Sequence, residues 1–117
     1  MHLGDFVKDE NGKIFQVQQK KSSVFQNGYT YILQSVNSKD KLNLSYKKIK
    51  KYTKINSKGA IDFCIDDTLS AFDEYFQVVN ILIDKRKIKL YTLVNSLKVR
   101  FIVDQKHISL FEQVMVW

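Results

Sequence analysis

Gly4-Asp5-Phe6-Val7-Lys8-Asp9-Glu10-Asn11-Gly12-Lys13-Ile14-Phe15-Gln16-Val17 is the stretch on which the fold turns. Asn11-Gly12 supplies the positive φ that a tight hairpin needs, so Asp5–Lys8 and Lys13–Lys20 are expected to be two paired strands. Phe15 and Val17 then fall on one face, and Gln16 and Gln18 on the other. Working outward, Lys21–Gly28 is a polar loop containing Phe25 and ending on the turn signal Asn27-Gly28. Tyr29–Val36 follows as a strand whose Tyr29, Tyr31 and Leu33 alternate with Thr30, Ile32 and Gln34. After a turn at Asn37–Asp40, Leu42, Leu44 and Tyr46 alternate with Asn43 and Ser45, as one buried face requires. The run Lys47-Lys48-Ile49-Lys50-Lys51-Tyr52-Thr53 is short for a helix. A single turn would place Ile49 and Tyr52 on one side and the lysines outside, before a last strand near Tyr52–Ile55.

Five short strands, an opening Gly4-Asp5-Phe6-Val7, the Asn11-Gly12 turn and one helical turn before the final strand resemble the small SH3-like barrels, including Tudor- and KOW-type modules. The resemblance covers residues 4–55 and implies a binding module. No set of residues here matches a methyl-ligand aromatic cage.

Asn56-Ser57-Lys58-Gly59 reads as a linker, giving an N-terminal barrel over 1–57 and a second unit over 58–117 packed on it. In the second unit, Ile61–Ile65 suits a short strand. Asp66 or Asp67 would cap a short helix carrying Leu69, Phe72 and Phe76. Tyr75–Ile83 is a strand. If Asn95-Ser96 is a two-residue turn, Val94 faces Leu97, Thr92 faces Val99, Leu90 faces Phe101 and Ile88 faces Val103. A four-residue loop Asp84–Lys87 adds Ile83 and Ile81 to that face, completing an antiparallel meander. Its other face would hold a second basic patch of Lys89, Tyr91, Lys98 and Arg100, with Tyr91 opposite Arg100. Residues 107–117 fit a strand better than a helix. The fold class is therefore mainly β, a five-stranded barrel followed by a meander with one short helix.

Charge is divided unevenly along the 117 residues, whose net charge is +7. Through residue 60, twelve lysines stand against four acids (Asp5, Asp9, Glu10, Asp40); thereafter seven basic residues meet eight acidic ones. The first half thus points to an anionic partner, DNA or RNA, bound through phosphates. Lysine-, asparagine- and isoleucine-rich composition also arises from an AT-rich genome without any function behind it. Lys47, Lys48, Lys50, Lys51 and Lys54 would contact phosphates, with Tyr46 and Tyr52 near enough to stack on unpaired bases. The same lysines suit a solvated turn equally well. The acids Asp66, Asp67, Asp73 and Glu74 suggest a second class of function. A nucleic-acid-mimicking surface could occupy the basic groove of a host protein such as a defence nuclease, as a phage or mobile-element inhibitor of the anti-CRISPR kind would.

Catalytic signatures are missing from the sequence. Four glycines leave little from which to build a phosphate loop. Cys64, His2 and His107 lack metal-ligand spacing, and Phe63-Cys64-Ile65 reads as a buried apolar segment rather than half of a Cys64–His107 pair. No cofactor, metal or enzymatic activity is expected. No apolar run reaches membrane-spanning length, no signal peptide is expected from Met1–Asp5, and a lone cysteine suits the reducing cytoplasm.

Overall fold

The computed structural model describes residues 1–23, 28–56 and 61–114. The protein is mainly β, with two antiparallel five-stranded sheets in two compact units, Met1–Ile55 and Asn56–Trp117. Of the loop expected over Lys21–Gly28, Lys21–Ser23 and Gly28 are instead strand, while its centre with Phe25 and Asn27, the linker from Ser57 to Gly59 and Met115–Trp117 lie outside the described residues.

In the first unit, β1 (Phe6–Lys8), β2 (Ile14–Ser23), β3 (Gly28–Ser35), β4 (Lys41–Ser45) and β5 (Thr53–Lys54) form a sheet in the order β4-β3-β2-β1-β5. One helical turn, α1 (Tyr46–Ile49), separates β4 from β5. The pairings Val7↔Phe15, Val17↔Leu33↔Leu42 and Tyr31↔Leu44 put one apolar set on one face. There Val7, Phe15, Val17, Tyr31, Leu33 and Ile49 make a buried core, with Tyr52 at its margin. A bulge between Val17 and Gln19 shifts the alternation. Beyond it Lys20, paired with Tyr31, lies on the core-side face.

The second unit contains β6 (Thr68–Ala71), β7 (Glu74–Ile83), β8 (Lys89–Asn95), β9 (Arg100–Asp104) and β10 (Glu112–Gln113), ordered β10-β6-β7-β8-β9. A 3₁₀ turn over Ile108–Leu110 precedes β10, so the end of the described chain is part helical turn and part strand. Phe76 packs edge-on against Phe101 and Phe111, at centroid distances of 5.7 and 5.1 Å, in a core shared with Leu69, Val78, Tyr91, Leu93 and Val103.

Three expectations for this unit are overturned. The acidic helix does not form: its residues make the β6–β7 hairpin, joined by Phe72-Asp73 with φ of 55° and 60°. That is the backbone of a type I′ turn written without Asn-Gly, so the composition gave no turn signal. Ile61–Ile65 is not a strand, although Phe63 is buried. The β8–β9 register is also shifted, because the connection has three residues rather than two. Leu93 pairs with Phe101 and Tyr91 with Val103. An odd shift turns β8 over, burying Tyr91 and Leu93 in place of Leu90, Thr92 and Val94. At the other end of β8, Ile83 pairs with Lys89, and a bulge between Val78 and Asn80 reverses the alternation within β7.

Three of the hairpin turns share one construction. In Asp9–Lys13, Asp84–Ile88 and Asn95–Val99, the side-chain oxygen of the first residue accepts hydrogen bonds from the third and fifth backbone N–H groups. The fourth residue, Gly12, Lys87 or Lys98, takes positive φ. An Asx side chain thereby holds a type I turn and its following left-handed residue in place.

Candidate nucleic-acid interface

Ser45 begins the helical turn, its Oγ accepting a hydrogen bond from Lys48 N–H at 3.4 Å. Ile49 is then turned into the core and Lys47, Lys48, Lys50 and Lys51 into solvent. Among the described residues none of these four lysines makes an ion pair. They stand as a cluster of like charges held together by one buried isoleucine.

The other three residues of the expected site differ. Lys54 Nζ lies 3.7 Å from Oδ1 of buried Asp5, so this lysine serves a structural pair. Tyr52 is packed into the core margin, its ring edge-on to Phe15 at 6.1 Å. Burial, with the negative charges of Asp9 and Glu10, raises the pKa of its hydroxyl. Tyr46 does reach solvent, with 42% of its surface exposed, and Lys50 Nζ sits 4.4 Å from its ring centroid.

Tyr29 is a solvent-facing aromatic that the sequence pattern does not single out. Strand alternation places it in line with buried Tyr31, yet it lies at the end of the sheet and remains 44% exposed. Lys20 Nζ approaches its centroid at 4.4 Å while donating a hydrogen bond to the Met1 carbonyl at 3.2 Å. Thr30 pairs with Ser45, so Tyr29 and Tyr46 are the next residues along the same two chains. Gly28 closes the arrangement. At φ 142°, a Cβ on it would fall a tight 3.0 Å from Tyr46 Cβ on a backbone conformation that favours glycine.

The second basic patch is not assembled. Tyr91 is fully buried and pairs with Val103, whereas Arg100 pairs with Val94 on the opposite face. Lys98 belongs to the Asn95–Val99 turn. Lys89 Nζ and Tyr91 Oη both donate to Asp62 Oδ1, at 3.2 and 3.0 Å. These bonds hold the Asp62 carboxyl below its usual range, the Tyr91 bond contributing most, and raise the pKa of Lys89.

Nor do the acids form one helical face. Asp66 and Asp67 precede β6 and dock by their backbones on Val78, while Asp73 and Glu74 follow it. A four-residue strand separates the two pairs by roughly 13 Å. Asp67 Oδ2 accepts from Cys64 N–H, and Glu74 Oε1 from Ser96 Oγ. Asp73, Glu74 and Glu112 do share a cavity of about 530 Å³ with Phe72 and Tyr75.

Cys64 is exposed, contrary to the reading of its neighbours as a buried segment, because Phe63 alone turns inward. His107 is buried, with Nδ1 2.6 Å from Asp104 Oδ1, and this contact is the main cause of the lowered Asp104 pKa. Among the described residues, no three His, Cys, Asp or Glu side chains converge as a metal site would require. Among them too, no helix is long and apolar enough to cross a membrane.

Compared with protein-family descriptions, curated proteins and solved structures, the chain matches none.

Proposed function

We propose that the N-terminal unit is a small SH3-like nucleic-acid-binding module whose α1 turn holds phosphates through Lys47, Lys48, Lys50 and Lys51. One observation carries this reading: four exposed ammonium groups share a single turn with no carboxylate paired to them among the described residues. Elsewhere in the molecule a carboxylate takes up the charge of Lys13, Lys54, Arg86 and Lys89. Concentrating like charge raises the local potential and releases condensed counterions when a polyphosphate binds. Lysines act as point charges there, supplying affinity with little base discrimination. The strand order, with β1 between β2 and β5 and a helical turn before β5, supports the SH3-like description.

Reading the acids as a nucleic-acid mimic gains no support from their placement, since the strand β6 divides them and two of the four, Asp67 and Glu74, accept hydrogen bonds from Cys64 N–H and Ser96 Oγ. The test is fluorescence anisotropy with labelled single- and double-stranded oligonucleotides at about 50 mM salt. Micromolar or tighter binding, abolished by the combined variant K47E/K48E/K50E/K51E, is expected. Undiminished binding by that variant would refute the assignment.

A further inference from the structure

We infer that Tyr29 and Tyr46 are base-stacking platforms, so that the ligand of this surface is a single-stranded nucleic acid; the inference rests on the phosphate-binding role of the α1 lysines. The first support is position. Pairing of Thr30 with Ser45 brings the two tyrosines to the same end of the sheet, and Tyr46 leads directly into the lysine turn. The second is availability. Both keep more than two-fifths of their surface in solvent, at 44% and 42%, whereas Tyr31 is buried and Tyr52 is taken up against Phe15. The covered part of each tyrosine holds its ring in place at the surface, and Gly28, at φ 142°, lets the chain pass close beside Tyr46.

The third support is what already sits on the rings. Lys20 and Lys50 each place an ammonium 4.4 Å from a ring centroid. Each ring thus presents a face to a partner attracted by π-density. An exposed cation–π contact is weaker than the stacking of a nucleobase on the same face. Lys50 stands on a flexible stem and can leave the Tyr46 ring for a phosphate as a base takes its place. Lys20, anchored on the Met1 carbonyl, instead braces Tyr29 at the margin. Each of the two rings thus has an ammonium group beside it, so charge and ring are presented together at this end of the sheet. A duplex keeps its bases stacked on one another and offers only phosphates, so the rings would add nothing to duplex binding.

The test compares three ligands in anisotropy titrations at about 50 mM salt: an oligothymidylate of about 12 nucleotides, an abasic strand of the same length, and a duplex of the same length. We expect the oligothymidylate to bind about tenfold or more tighter than the abasic strand. Substitution Y29L/Y46L should lower it to the abasic level while leaving the salt dependence and the duplex affinity unchanged. Equal affinity for thymidylate and abasic strands, which needs no variant, would overturn the stacking role and leave the phosphate reading standing. Preference for the duplex would also overturn it. Failure to bind any of the three would end both proposals.

Discussion

Lys50 in the first unit rests 4.4 Å from the Tyr46 ring, whereas Lys89 in the second is held 3.2 Å from the Asp62 carboxylate. The two sheets around them are otherwise built alike, with five antiparallel strands, a bulge in one long strand, and Asx-held turns ending in a left-handed residue. The difference lies in what the cations face. A lysine with a carboxylate and a buried tyrosine hydroxyl on the same oxygen is part of the fold. A lysine on an exposed ring keeps its charge available. The four lysines of α1 extend that second condition, and this is why the first unit carries the proposed site.

The comparison can be broken most forcefully at the aromatic core of the second unit. Substituting Phe76 by Ala removes a ring packed on both Phe101 and Phe111 and should cost about 3–5 kcal/mol. Hydrogen exchange should then rise through β6–β9 while the amides of β1–β4 keep their protection. Matching loss in both sheets would show that the two units unfold as one.

A smaller effect is expected from Tyr91→Phe, which keeps the buried ring and removes the hydroxyl from Asp62. The variant should unfold at lower denaturant at neutral pH. Because Asp62 titrates below its ordinary value in the fold, its contribution is complete above about pH 4 and is lost as pH falls through that lowered value. The gap between variant and wild type should accordingly narrow under acid. A gap that is unchanged at low pH would mean that the carboxylate is not the partner that matters.

Smallest are the turn exchanges, which sharpen the likeness between the sheets. Gly12 and Lys98 occupy the same left-handed position in equivalent turns. Gly12→Ala should destabilise by about 1 kcal/mol, with no steric clash to add to it because nothing lies near the new Cβ. Lys98→Gly should stabilise by about 0.5–1 kcal/mol. Denaturation midpoints check both signs.

These turns also explain what the sequence disclosed and what it withheld. In the first unit, Asn11-Gly12 marks its own hairpin, and strict alternation through Phe15, Val17, Tyr31 and Leu33 identifies the buried face. Ile49 and Tyr52 at helical spacing identify the single helical turn. In the second, the same left-handed position is filled by lysine, and Phe72-Asp73 stands where Asn-Gly would be expected. The turn chemistry is silent there, and a three-residue loop was read as two. Each bulge then reverses the faces beyond it, which no count of alternating residues detects. The exposed cluster of Lys47, Lys48, Lys50, Lys51 and Tyr46 was legible because these residues crowd one short stretch of sequence. The exposure of Tyr29 was not, since it depends on where the sheet ends, and neither was the packing of Lys54 on Asp5 or of Tyr52 on Phe15, partners distant in sequence.

The most direct measurement is the slope of log affinity against log salt for a single-stranded oligonucleotide, taken for the wild type and for K47Q/K48Q/K50Q/K51Q. Four lysines on phosphates predict that the variant's slope is shallower by about 3. Identical slopes for the two proteins would contradict the assignment of these lysines as the phosphate contacts.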